Sequence, residues 1–134
     1  MDRKIGILTV RELLGIAMLV ILLLSGLLTA WYMDRVHSGI CAQLRDSSWL
    51  ALSGQWEKAR DGAAAAREEW NNLWNFLAAF SNHNPMQEID GLFEELTVCA
   101  GAGLRTEFAR ICATLASQVE SLGDSQKLSW WNIL

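Results

Sequence analysis

His83 is the residue that most invites a chemical reading. A histidine with Glu88, Asp90 and Glu69 within plausible reach could hold a metal or move a proton. A metal centre needs three or four converging ligands, usually several of them His or Cys. Here one histidine and scattered carboxylates surround what reads as the start of a helix, which is a common surface arrangement. His37, just beyond a long apolar stretch, is as readily a solvated interface residue as a chemical one. The three cysteines, Cys41, Cys99 and Cys112, show no C-x-x-C spacing and cannot all pair within one chain. If a turn near Ala102 separates antiparallel helices, Cys99 and Cys112 are offset by about 10 Å along the axis, beyond the roughly 7 Å limit for a disulfide. Buried thiols acting as small hydrophobes are the expectation. Glu68-Glu69 and Glu94-Glu95 read as solvated helix faces, and no G-x-S-x-G, Walker loop or H-E-x-x-H is present. No catalytic residue, cofactor or metal site is assigned, and a non-enzyme is expected.

The elements around these residues are organised by residues 13–33, twenty-one residues without a charged side chain. As a helix they span roughly 31 Å, about the hydrocarbon thickness of a bilayer, and satisfy their own backbone hydrogen bonds. Arg11 and Glu12 close one end; Trp31, Tyr32, Asp34 and Arg35 close the other, the aromatic pair at interfacial height. The apolar run exceeds the usual core of a signal peptide, and Leu28-Thr29-Ala30 is a poor cleavage site. Ser38-Gly39-Ile40 before Cys41 makes no convincing lipid-attachment box. An uncleaved span is therefore expected between a short cytoplasmic head (1–12) and an extracytoplasmic domain (34–134). Arg3, Lys4 and Arg11 before the span, against Arg35 and Arg45 after it, favour that orientation by one residue.

Of the net charge of −4, the tail from residue 34 carries eight Lys/Arg against thirteen Asp/Glu. An acidic tail argues against nucleic acid and against an anionic lipid surface as its main partner. Its length permits one modest core.

Along the tail, Val36, Ile40 and Leu44 mark one face of a helix that runs on from the span. Ser38, Gly39, Ser47 and Ser48 weaken that face, and Ser53-Gly54 reads as a turn. From Trp56, apolar or small residues recur at Ala59, Ala63, Ala66, Trp70, Leu73, Leu77 and Phe80, in alternating steps of three and four. The alanines make a thin middle that lets another helix come close, and Trp74 and Phe76 widen the stripe. Asn84 reads as an N-cap with Pro85 at the first helical position, and Glu88 and Asp90 lie near the positive end of the helix dipole. That helix turns Met86, Ile89, Phe93 and Leu96 inward and fades at residues 100–103. A fourth carries Leu104, Phe108, Ile111, Leu115, Val119 and Leu122, and Gly123 is expected to end it. If consecutive helices run antiparallel, as short connections favour, Trp130 and Trp131 face the bilayer surface or dock back onto the bundle.

With this order of parts, the chain resembles the domain of unknown function 4363 family, single-pass bacterial membrane proteins found largely in clostridia and related Firmicutes. The likeness rests on four places: the N-terminal span; Gly54-Gln55-Trp56-Glu57-Lys58-Ala59; the region 70–90 with His83-Asn84 and Glu88-Ile89-Asp90; and Leu128-Ser129-Trp130-Trp131-Asn132-Ile133-Leu134. The resemblance implies a small helical domain outside the membrane and implies no activity. The alanines at 63–66, the Ala/Gly run at 100–103 and the extra tryptophan depart from the family's usual Lys/Glu-rich helices.

The expected fold is all-α: one N-terminal transmembrane helix and a small antiparallel bundle of about four helices. The expected role is a membrane-tethered scaffold or adaptor at the bacterial cell envelope. Trp56, Trp70, Trp74, Trp130 and Trp131 are its candidate contact residues, because exposed aromatics dominate interface energetics; buried, they are simply core. The expected partners are the lipid bilayer and an envelope protein or a second copy, with no nucleic acid and no small-molecule substrate. Two alternatives stay open: a subunit of a larger membrane complex, in spore formation for instance, and a small metal-dependent sensor or enzyme centred on His83.

Overall fold

Two glycines in the left-handed region set where the chain reverses. Gly54 (φ +86°) follows the first helix and Gly103 (φ +71°) the third. In each case the next residue donates its N–H back five positions, Gln55 to the Leu50 carbonyl at 2.9 Å and Leu104 to the Cys99 carbonyl at 3.1 Å. This is the Schellman closure, which satisfies late carbonyls and needs a residue free of a Cβ penalty.

The computed structural model describes residues 9–79 and 83–133, the side chains of 83, 129–131 and 133 excepted. It is all-α, with α1 (Val10–Leu52), α2 (Trp56–Leu77), α3 (His83–Ala102) and α4 (Arg105–Ile133). The chain divides into two compact units, Met1–Met33 and Asp34–Leu134.

The first unit is a single apolar helix, long and apolar enough to cross a membrane, with none of its most apolar window buried. Side chains such as Leu19, Leu23 and Leu27 are 60–72% exposed. The hydroxyls of Ser25 and Thr29 donate to the Leu22 and Ser25 carbonyls of the same helix.

The second unit is a small antiparallel bundle of four helices. Direction follows from the cross-links between helices, where residue numbers rise on one helix as they fall on the other. Asp34 pairs with Lys127, Cys41 donates to the Ala116 carbonyl and Ser48 to the Ala109 carbonyl, joining α1 to α4. Gln43 donates to Glu69, and Ser47 faces Gly62, joining α1 to α2. Arg67 pairs with Glu94, joining α2 to α3, and two residues connect α3 to α4.

The α2 seam is buried as its spacing predicts: Ala59, Ala63, Ala66, Trp70, Leu73 and Leu77 are the buried residues of that helix. Phe80 lies outside the described residues. Met86, Ile89, Phe93 and Leu96 from α3 and Phe108, Ile111, Leu115, Val119 and Leu122 from α4 complete the core.

Four local expectations are corrected. Leu104 is 50% exposed, because it follows the Gly103 turn at the open end of the bundle. Asn84 is no cap: α3 begins at His83, and Pro85 sits within the first turn, where an absent N–H leaves no helical bond unmade. Gly123 does not end α4, which continues to Ile133. A Cβ at Gly123 would stand 3.4 Å from the His37 ring, so this glycine brings α4 close to α1. His37 is accordingly 5% exposed, buried in that seam rather than solvated.

The glycines therefore separate by role. Gly54→Ala and Gly103→Ala should each destabilise the bundle by about 1–2 kcal/mol, the cost of the left-handed backbone. Gly91→Ala, in mid-α3 with open space around it, should stabilise by roughly 0.5–1 kcal/mol. Thermal melts followed by far-UV circular dichroism check all three.

Candidate interaction surfaces

A chain with this core can act through its surface, so the question is what the helices leave uncovered. On α2 the thin stretch from Ala59 to Ala66 meets α1 closely. A Cβ added at Gly62 would stand only 2.5 Å from the Ser47 hydroxyl. Further along, bulk returns. Trp70 is fully buried and stacks on Phe93 with centroids 6.2 Å apart, and Trp74 lies tilted beside it at 6.3 Å.

Between α2 and α3 the alanines leave a solvent-open groove of about 610 Å³. Ala63, Phe93, Leu96 and Phe108 form its floor, and Arg67, Glu94, Asp61 and Glu68 are among its charged rim. Arg67 lays its guanidinium over the Phe93 ring, 5.8 Å from the centroid, while Nη2 bonds Glu94. Its stem covers apolar surface and its head holds the two helices together. At the far end Trp56 meets Phe108 edge-on at 4.9 Å, with Arg105 5.7 Å from its ring.

A second, smaller cavity of about 180 Å³ lies between α1 and α4, bordered by His37, Cys41, Gly123 and Asp124. The ion pairs Asp34–Lys127 and Arg45–Glu120 join the helices there. The hydrogen bond to Asp34 and its negative charge raise the Lys127 pKa. Burial raises the Cys41 thiol, and burial pushes Cys112 up from 9.0 to about 12. Both are protonated thiols at neutral pH, which removes the thiolate that nucleophilic or metal-binding chemistry uses. Cys99 is also free and buried, as the helix offset predicts.

The predicted contact residues separate. Trp70 has no surface to offer a partner and is core. Trp56 and Trp74 keep part of their surface. Trp130 and Trp131 continue α4, and their side chains lie outside the described residues, as does that of His83. Of the groups expected near His83, Glu88 is exposed, Asp90 is half-buried, and Glu69 accepts from Gln43 on α1. Among the described residues no group of three His, Cys, Asp or Glu could hold a metal ion. Trp49, 65% exposed near the end of α1, escaped the sequence reading because it lies off every predicted seam. The groove had one sequence signal, the run of alanines.

The chain belongs to the family described as domain of unknown function DUF4363, whose model matches residues 30–133. That match covers the bundle and only the last turn of the apolar stretch. No curated protein and no solved structure matches the chain.

Two outcomes follow. Trp70→Ala should cost about 3–5 kcal/mol as a core truncation, and Trp70→Phe distinctly less. The indole Nε1 has no hydrogen-bond partner to lose among the described residues. Denaturant unfolding of the purified chain checks both. The raised Cys112 pKa means the folded state holds its proton after the unfolded chain has released one. Stability from this thiol is full below pH 9 and falls as pH rises toward about 12. Cys112→Ala should flatten that alkaline slope, read from denaturant midpoints across the same pH range.

Proposed function

We propose that this member of the family is a single-pass membrane protein whose N-terminal helix tethers an acidic four-helix bundle on the extracytoplasmic side of a bacterial envelope. There the bundle serves as a non-enzymatic scaffold or adaptor that holds a partner protein. The observation that carries this reading is α1 itself. Its apolar part is exposed around its whole circumference, yet the same helix runs on without a break to supply Ile40 and Leu44 to the core. Leucines at this density on a fully exposed surface are favoured in lipid and strongly disfavoured in water. The greater positive charge before the apolar stretch supports a cytoplasmic head. At the end of the bundle where Asp34 meets Lys127, α4 carries Leu128, Trp130 and Trp131. That is the end that follows the span in the chain, and tryptophan is favoured at bilayer interfaces.

A second reading, a subunit of a larger membrane complex, is favoured by one feature of the apolar helix. Ser25, Gly26, Thr29 and Ala30 place small side chains at i and i+4, the spacing that lets membrane helices pack closely. It predicts that the chain is degraded when expressed alone.

The topology is tested with a cysteine placed at the exposed Glu57. The native thiols are buried and should stay silent. Glu57→Cys should react with a membrane-impermeant maleimide in intact cells. Labelling only after permeabilisation would reverse the orientation. In-cell crosslinking should then capture one envelope protein, lost in the Trp130→Ser/Trp131→Ser double variant. Self-crosslinks alone would replace the adaptor with a homo-oligomer.

A further inference from the structure

We draw no further inference here: the strongest candidate, the cavity of about 180 Å³ between α1 and α4 bordered by His37, Cys41 and Asp124, brings together no group of three metal-ligating side chains among the described residues, and nothing in the structure shows what it would bind.

Discussion

The bundle depends on the close crossing of α1 and α2 at Ser47 and Gly62. Neither residue has a side chain large enough to hold the helices apart, and the alanines at 59, 63 and 66 extend the same thin face. A helix stripped of bulk on that side can be brought near one neighbour, and its opposite flank then falls short of the other. That flank is the one turned toward α3, and the shortfall is the groove above Phe93. The long side chain of Arg67 bridges it to Glu94. The close contact on one side of α2 and the opening on the other thus have one cause.

Polar atoms are buried beside this crossing as well. Ser47 Oγ, Gln43 Oε1, Arg67 Nη1 and Trp70 Nε1 are buried without hydrogen-bond partners among the described residues, and all belong to α2 or to the part of α1 beside it. On the side of α1 that faces α4, Ser48 and Cys41 reach carbonyls of α4, and Arg45 reaches Glu120. Each unmet buried group costs on the order of 1–3 kcal/mol.

The seams of α2, α3 and α4 were legible because a buried helical face must repeat at three- and four-residue steps, whatever else the sequence does. Small residues were harder to read. Ser47 and Ser48 look like weak points in an apolar face, yet one is the point of closest approach and the other a link to α4. Gly123 looks like a stop signal, and only the ring of His37 on a helix far away in sequence shows that it marks proximity instead. His37 itself was misread for the same reason, since its burial depends on a partner that no local pattern announces. Trp70 shows the converse limit: periodicity placed it on the seam but could not say whether the seam faced a partner or the core. The groove is a property of three helices at once, visible in the sequence only as the alanines that cause it.

Charge carries the argument from packing to partner. Five cations of the bundle are held in ion pairs, Arg45, Arg60, Arg67, Arg110 and Lys127. Several of these pairs are half exposed, and such pairs contribute little stability, about 0–1 kcal/mol each. Their larger effect is on the field. They cancel cations against acids in place within a bundle that carries thirteen Asp/Glu against eight Lys/Arg. The excess is screened within roughly 8–10 Å at ordinary ionic strength, so it acts on whatever touches the surface and not at long range. Under the proposed function, such a surface would disfavour anionic lipid headgroups and nucleic acid as partners. Under that same proposal, the apolar helix would supply location and the acidic bundle the contact with what is held there.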